Sequence, residues 1–194
     1  LKWIDRMKKE GQKPVGIKIV IGSSDSPNEL LEQINKLNIK PDWITIDGSE
    51  GGSGATYQEM ADTMGLPIKS GIVILDNALR KHNLRDSIKI FASGKLFSPD
   101  SIAIALGLGA DFINIARGLM ISVGCIQALK CHTNECPVGV ATTDKNLQNA
   151  LVVKEKKYRV LNYMITLRAG LNSLAAASGL NSPTEFKRNH IVYK

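Results

Sequence analysis

Aromatic residues are scarce in this sequence, whose 194 residues include two tryptophans, four tyrosines and four phenylalanines. Proteins that bind single-stranded nucleic acid use such side chains as platforms on which bases stack. The formal charge of +7 at pH 7 would suit a polyanion, and the run KEKKYR at residues 154–159, together with Lys8 and Lys9, suggests a distant alternative, a basic nucleic-acid-binding module. Because aromatic residues are so few, we expect no nucleic-acid partner.

Long apolar runs are also missing. The longest uncharged stretches of the apolar region are residues 101–110 and 118–129, which fall short of the ~18 consecutive apolar residues of a transmembrane helix. We therefore expect no membrane span in this chain. The first residue, Leu1, is not methionine and no secretory leader pattern follows it, so we expect the chain to be part of a longer protein. Extended disorder is excluded because 43% of the residues are hydrophobic and 22% are charged.

Cysteine is limited to Cys125, Cys131 and Cys136. An odd number of thiols within twelve residues is a poor disulfide framework and a better ligand set or redox site. Free thiols persist in reducing compartments. We therefore expect a cytoplasmic protein.

Short apolar runs rich in β-branched residues predict four strands, at residues 16–22, 42–47, 87–92 and 112–116. Because these runs do not alternate with polar residues, and helical stretches separate them, they indicate a parallel sheet covered by helices, the α/β class. Ser26 to Glu29 predicts a capping box, and Ser98 with Pro99 predicts another helix start. After Asp144 the pattern becomes helical. Four such units fit either an open doubly wound sheet or half of an eight-stranded barrel.

The loops that follow the strands are rich in glycine and small residues. Residues 47–55 read DGSEGGSGA, while Ser93-Gly94-Lys95 and Arg117-Gly118 follow the third and fourth predicted strands. In both candidate folds, loops at the carboxyl ends of the strands bind ligands, and paired loops after consecutive strands often bind phosphate. Each of these loops could equally be a solvated surface turn.

The most specific motif is GCIQALKCHTNECPVG at residues 124–139. Thiolates bind iron in sulfide clusters, and a proline directly after the last cysteine is typical of iron–sulfur motifs. Three thiolates without a fourth suit a three-iron cluster. A zinc site that recruits His132 and a loop with three unligated thiols are the alternatives that the spacing leaves open.

With these motifs, the chain resembles the FMN-binding synthase domain of glutamate synthase, over about positions 14–145. The similarity is closest to stand-alone, glutamate-synthase-like FMN proteins that lack the glutamine amidotransferase domain. It rests on GCIQALKCHTNECPVGVAT at 124–142, IDGSEGGSGA at 46–55, ASGKL at 92–96 and IKIV at 17–20. The resemblance implies the C-terminal half of a (β/α)8 TIM barrel, about strands five to eight, in residues 1–145. Residues 146–194 would form a helical C-terminal tail of the same domain.

The resemblance also implies roles for individual residues. Lys18 would be catalytic and would face both the flavin and the 2-oxoglutarate carboxylate. Gly51, Gly52 and Ser53 would bind substrate. Cys125, Cys131 and Cys136 would hold a 3Fe-4S cluster. The residues that would contact FMN, besides Lys18, are Gly48, Ser93, Gly94, Lys95, Ala116, Arg117 and Gly118.

The implied chemistry is the reduction of 2-iminoglutarate, formed from 2-oxoglutarate and ammonia, to L-glutamate, by FMN that receives electrons from the cluster. An electron-donor protein, such as a ferredoxin or a pyridine-nucleotide-oxidising subunit, would be the partner. The large synthases usually carry a glycine pair at Ser93-Gly94 and Gly-Thr-Ala at Ala116-Arg117-Gly118. This difference keeps open an FMN and iron–sulfur oxidoreductase that acts on another imine or carbonyl. A half barrel would expose two sheet edges and an apolar face, so we expect the isolated chain to be inactive and to dimerise or aggregate.

Overall fold

Strands and helices alternate along the first two thirds of the chain. The structure, a computed structural model, describes residues 1–51, 58–60 and 62–192. Within these residues the strands are β1 (Gly16–Val20), β2 (Trp43–Asp47), β3 (Lys89–Ser93) and β4 (Phe112–Asn114). The helices are α1 (Lys2–Gly11), α2 (Ser26–Leu37), α3 (Ile68–Lys81), α4 (Pro99–Leu108), α5 (Arg117–Ser122), α6 (Lys145–Gln148) and α7 (Val153–Ala177). Short 3-10 turns cover Gln58–Met60, Pro183–Glu185 and Arg188–His190.

The four strands form one parallel sheet in the order β1-β2-β3-β4. The register sets Lys18 beside Thr45, Thr45 beside Phe91, and Phe91 beside Phe112. Between consecutive strands the chain crosses back through a helix, so that each strand starts at the same edge of the sheet, as a parallel arrangement requires. The predicted α/β class and parallel sheet are confirmed. That these strands are the fifth to eighth of a closed barrel stays a prediction.

The two faces of the sheet differ in their surroundings. Ile44, Ile46 and Ile90 point to the helices and are completely or almost completely buried against α3, through residues such as Ile72 and Leu75. Burying one such aliphatic side chain contributes about 1.5–3 kcal/mol. The core of this chain therefore lies between the sheet and its helices.

The opposite face carries a row of aromatic rings. The ring centroids of Trp43 and Phe91 are 5.5 Å apart, and those of Phe91 and Phe112 are 4.6 Å apart. Phe112 nevertheless remains 53% exposed and Val20 55% exposed. Open apolar faces of this kind are typical of interaction surfaces. That the isolated chain dimerises or aggregates stays a prediction.

A buried carboxylate fastens the C-terminal segment to the helical layer. Asp76 on α3 is 1% exposed and accepts hydrogen bonds from Arg80, Arg85 and Arg188. Arg85 also contacts Asp111, with 2.9 Å between its nitrogen and the carboxylate oxygen. Buried charges are tolerated only when they are paired, and here the arginines supply the pairing. The contact between Arg188 and Asp76 also attaches the C-terminal segment to a helix more than one hundred positions earlier.

One of the two helix starts predicted from the sequence is confirmed, and the capping box predicted at the other is not. Ser98 caps α4, and its partner in the capping box is Ser101. The box predicted from Ser26 to Glu29 is wrong, because Asp25 is the residue that precedes α2 and the Ser26 hydroxyl donates to the Ser23 carbonyl instead. The hydroxyl is satisfied within the preceding turn, so it does not cap the helix.

The long helix α7 confirms the predicted helical tail. Of its residues, Leu167 and Ala175 are buried, whereas Leu161, Met164 and Ile165 are exposed. The apolar spacing that predicted the helix therefore does not mark its buried face in this chain. In the described part of the chain, no helix combines the length and the apolar character needed to cross a membrane.

Candidate functional site

A cavity of about 380 Å³ lies at the carboxyl ends of β3 and β4. Its wall includes the turn after β3, the start of α5 and the cysteine motif. The members that the sequence singled out are Ser93, Gly94, Lys95, Ala116, Arg117, Cys125, Cys131 and Cys136. The fold thus brings the two predicted phosphate-binding turns and all three cysteines to one cavity, which we call the carboxyl-end cavity.

The turn after β3 supplies the first cation. The Gly48 amide donates a 2.8 Å hydrogen bond to the Ser93 carbonyl, which joins the β2 and β3 turns. Lys95 adopts a left-handed backbone with φ of 51°, a conformation that costs a non-glycine residue on the order of 1 kcal/mol. Its ammonium Nζ lies 2.7 Å from Oδ1 of Asp62. One of the cavity's cations is therefore held by a carboxylate from the segment before α3.

The second cation comes from the first residue of α5. Arg117 lines the cavity together with Ala116. Gly118 is buried behind them, and a Cβ atom built on it would lie 2.7 Å from Tyr163 Cζ and 2.9 Å from Phe97 Cβ. A real Cβ has no room at this distance, so glycine is needed here for the close approach of α7.

Glu50 organises the loop between β2 and α3. Its carboxylate accepts a 2.9 Å hydrogen bond from the Ile68 amide, at the first residue of α3. Unsatisfied amides at a helix start favour such an acceptor. Glu50 therefore orients an amide at the start of α3 while it also lines the cavity.

The cysteine loop, residues 124–139, bends through several left-handed positions. Gly124, Gln127, Leu129, Asn134 and Gly139 all have φ between 56° and 108°. Non-glycine residues in this region cluster at functional sites, where the surrounding structure enforces the conformation. The Asn134 side chain stabilises the loop, because its Oδ1 accepts a 2.7 Å hydrogen bond from the Thr143 amide.

The three thiols have different surroundings. Cys131 is exposed, Cys125 is half-buried and Cys136 is buried. A hydrogen bond from the Ala141 amide lowers the pKa of Cys136 below its usual 9.0, with smaller contributions from the amides of residues 138–140 and opposition from burial. The thiolate is the form that binds iron or zinc, so the loop favours the ligating form of this sulfur.

In the residues that the structure describes, no three His, Cys, Asp or Glu side chains lie close enough to hold a single metal ion. This applies both to the predicted zinc set with His132 and to the three cysteines by themselves. A three-iron cluster takes one thiolate on each iron, so its ligands need not converge on one point. The shared cavity is compatible with that larger group.

Lys18 and Gly48 do not line the carboxyl-end cavity. Lys18 projects from β1 on the open face of the sheet, with its Nζ 2.7 Å from Oδ2 of Asp47 and its side chain 58% exposed. The other carboxylate oxygen, Oδ1 of Asp47, is buried without a hydrogen-bond partner among the described residues. The Lys18–Asp47 pair is therefore a second polar site, one strand away from the cavity wall.

The predicted substrate-binding loop is described only in part. Gly51 lines the cavity, whereas Gly52 and Ser53 lie outside the described residues. Sequence reasoning did not find Asp62 or Tyr163. Both act through contacts made by folding, and neither stands in a motif that could have revealed it.

Comparison with known proteins places this architecture in a family. The sequence model described as a conserved region in glutamate synthase matches residues 1–181. The chain is 58% identical to the glutamate synthase large subunit-like protein YerD of Bacillus subtilis, over 100% of this chain and 37% of that protein. It is 33% identical to the archaeal glutamate synthase (NADPH) of Methanocaldococcus jannaschii, over 76% of this chain and 29% of that protein.

A solved structure shares the fold. A double mutant of flavocytochrome b2 with pyruvate bound superposes with a TM-score of 0.58, at 16% identity, over 96% of this chain and 36% of that chain. The chain thus spans between 29% and 37% of the length of these proteins. The family model matches residues 1–181, and the similarity to YerD covers the whole length of this chain. The chain therefore belongs to the glutamate synthase family.

Proposed function

We propose that this chain is part of a glutamate-synthase-type oxidoreductase, which reduces 2-iminoglutarate, formed from 2-oxoglutarate and ammonia, to L-glutamate. The observation that carries the proposal is the carboxyl-end cavity, whose wall contains both phosphate-type turns and all three cysteines. Phosphate sites after the last strands are typical of barrel enzymes. Family membership supports the same class of reaction.

FMN is the proposed cofactor because the cavity suits a phosphorylated ligand. Lys95 and Arg117 contribute two cations to its wall, and the carboxylate that also lines it, Glu50, is engaged with the Ile68 amide. Ser93, Gly94 and Ala116 add small residues to the wall, whose backbone a phosphate can approach closely. When bound, FMN supplies hydride transfer, and the protein supplies its placement.

A 3Fe-4S cluster is the proposed metal group, and Cys125, Cys131 and Cys136 would hold it. Their shared cavity and the backbone amides that lower the pKa of Cys136 support this assignment. Because the three cysteines and the two phosphate-type turns line the same cavity, a cluster bound by the cysteines would lie beside those turns. Such proximity is what one-electron transfer between two groups requires.

Lys18 would bind a substrate carboxylate or neutralise negative charge that develops during reduction. The contact with Asp47 Oδ2 fixes the ammonium in one orientation on the open sheet face. Gly48, Gly51, Gly52 and Ser53 would bring backbone amides to the substrate. This role requires the rest of the protein to close over the open face.

The electrons would come from a donor protein, such as a ferredoxin or a pyridine-nucleotide-oxidising subunit. Exposed thiol and apolar groups in the cysteine loop support entry at this surface: Cys131 is exposed, Ile126 is 65% exposed and Leu129 is 45% exposed. We propose a cytoplasmic location on the basis of the free thiols.

A second candidate is an FMN and iron–sulfur oxidoreductase that acts on another imine or carbonyl. Arg117 favours it, because this cavity-lining cation stands where the large synthases usually have a neutral residue. Product analysis with 2-oxoglutarate, ammonia and a reductant distinguishes the two candidates. Glutamate formation supports the first, and turnover of other carbonyls without glutamate supports the second.

The direct test uses the purified full-length protein. We expect flavin absorbance, iron and labile sulfide, and loss of iron when any one of the three cysteines is changed to serine. Lys18→Gln should raise the KM for 2-oxoglutarate, whereas Lys13→Gln, at another exposed lysine, should leave it unchanged. A protein without flavin and without iron would refute the proposed function.

A further inference from the structure

A tyrosine of the C-terminal helix connects the two predicted phosphate turns. Tyr163 on α7 donates a 2.8 Å hydrogen bond from its hydroxyl to the carbonyl of Phe97, 66 residues earlier. Phe97 stands between Lys95, in the turn after β3, and Ser98, which caps α4. The phenol therefore binds the backbone that leads from the cavity wall into the next helix.

The same ring packs against the start of α5. The Cβ position of Gly118 would overlap the Tyr163 hydroxyl and lie 2.7 Å from its Cζ atom. Gly118 directly follows Arg117, the second cation of the cavity wall. Tyr163 thus contacts the β3 turn through a hydrogen bond and the α5 turn through packing.

We propose that Tyr163 is a positioning residue that fixes the distance between the Lys95 turn and the Arg117 turn, so that both reach the phosphate of one flavin. The inference rests on the proposed function, because it presupposes that FMN occupies the cavity. Tyr163 does not line the cavity itself, so it acts through the two turns.

The chemistry of the phenol suits this role. Burial raises the pKa of Tyr163 above its usual 10.0, so the hydroxyl keeps its proton and donates to Phe97 over the physiological pH range. The rest of α7 gives the contact a firm base, because Leu167, one turn further along the helix, is buried in the core. Two turns that are held by the same rigid ring lose little conformational freedom when a ligand binds between them.

The test compares FMN with riboflavin, which has the same ring system and no phosphate. In the full-length protein, dissociation constants for both flavins are measured by fluorescence titration for the unmodified protein, Tyr163→Phe and Tyr158→Phe. Tyr158 is on the same helix and 58% exposed, which makes it the matched control. We expect Tyr163→Phe to weaken FMN binding about fivefold, the equivalent of one hydrogen bond, and to leave riboflavin binding unchanged.

A second variant acts on the same junction from the other side. Gly118→Ala places a methyl group against the Tyr163 ring and should also lower the preference for FMN over riboflavin. Equal weakening of both flavins in Tyr163→Phe, or no change in either, would overturn the positioning role while the proposed function stands. An unmodified protein that fails to prefer FMN would overturn the proposed function and this inference with it.

Discussion

The ammonium of Lys95 lies 2.7 Å from the carboxylate of Asp62, so a cation in the wall of the carboxyl-end cavity is paired with a carboxylate of the protein itself. The Lys95 side chain is 33% exposed and that of Asp62 is 56% exposed. Ion pairs at such partly solvated positions contribute up to about 1 kcal/mol. An anionic ligand that uses Lys95 must compete with this pair.

Removing the competitor should therefore strengthen flavin binding. We expect Asp62→Asn to lower the Kd for FMN by up to about fivefold, the equivalent of one exposed ion pair, with a smaller effect at high salt. Glu59→Gln, at an exposed carboxylate of the same segment, is the control and should leave the Kd unchanged. Weaker FMN binding by Asp62→Asn would show that the pair supports the site instead.

The three thiols should differ in their reaction with iodoacetamide when no cluster is bound. Cys131 is exposed and Cys136 is 7% exposed. Although the pKa of Cys136 is lowered, access limits alkylation, so we expect Cys131 to react at least about tenfold faster. Mass spectrometry of the metal-free protein at successive times measures the order. After reconstitution with iron and sulfide all three should be protected, and continued alkylation of any one would exclude it as a ligand.

Asp42 should make the stability of the protein depend on pH in the acid range. Burial raises the pKa of Asp42, but the Val15 amide and the Lys8 ammonium outweigh it, so the pKa lies below its usual 3.8. A carboxyl group with a lowered pKa stabilises the folded state above its unfolded pKa, and this contribution disappears as the pH falls through the folded pKa.

The variant Asp42→Asn tests this sign. Urea unfolding should show the variant to be less stable than the unmodified protein by about 1 kcal/mol at pH 6, the magnitude of a charge-assisted hydrogen bond, and the difference should vanish below the pKa of Asp42. Asp25→Asn, at an exposed position, should show no such dependence. A difference that persists at pH 2 would assign the effect to packing.

Asp76 should be the most sensitive carboxylate in the chain. Its side chain is 1% exposed and paired with Arg80, Arg85 and Arg188. Breaking a buried ion pair by removing one partner costs about 3–5 kcal/mol, so Asp76→Asn should lower the free energy of unfolding by about 3 kcal/mol in urea titrations. Asp86→Asn, at an exposed site nearby, should change it by less than about 0.5 kcal/mol.

Release of the C-terminal segment is a second consequence of the same change. Arg188 also donates to Asn77 and to the Leu108 carbonyl, so Asp76→Asn should weaken a contact that spans the helical layer. Limited trypsin digestion should then cut near Lys187 sooner than in the unmodified protein. Equal digestion rates would mean that the remaining bonds of Arg188 are sufficient.

Local patterns in the sequence predicted the secondary structure well. The β-branched runs predicted both ends of every strand to within two residues. They could do so because strand formation there depends on neighbouring residues that are buried on the helical side. The helix start predicted at Ser98 and Pro99 was also local and was confirmed. The Ser26 box was wrong because the Ser26 hydroxyl donates to the Ser23 carbonyl, and no side chain among the described residues accepts a capping hydrogen bond from the first amides of α2.

The candidate site was predictable only where function depends on a motif. The cysteine spacing and the glycine loops are contiguous in the sequence, and their resemblance to a family identified them without coordinates. Glu50 stands in the glycine-rich loop, but its hydrogen-bond partner could not be predicted because the Ile68 amide is 18 residues away. Asp62 and Tyr163 carried no signal, because each is defined by the residue it contacts across the fold.

The amino-acid sequence by itself determined the family, the α/β class and the cysteine motif, since all three depend on the identity and order of neighbouring residues. Only the tertiary structure decided that Lys95 pairs with Asp62, that Tyr163 joins two turns, and that the phosphate-type turns and the cysteines line one cavity. The physical reason is that parallel strands return distant segments to the same sheet edge, and the pairings formed there depend on positions in space that no spacing along the chain records.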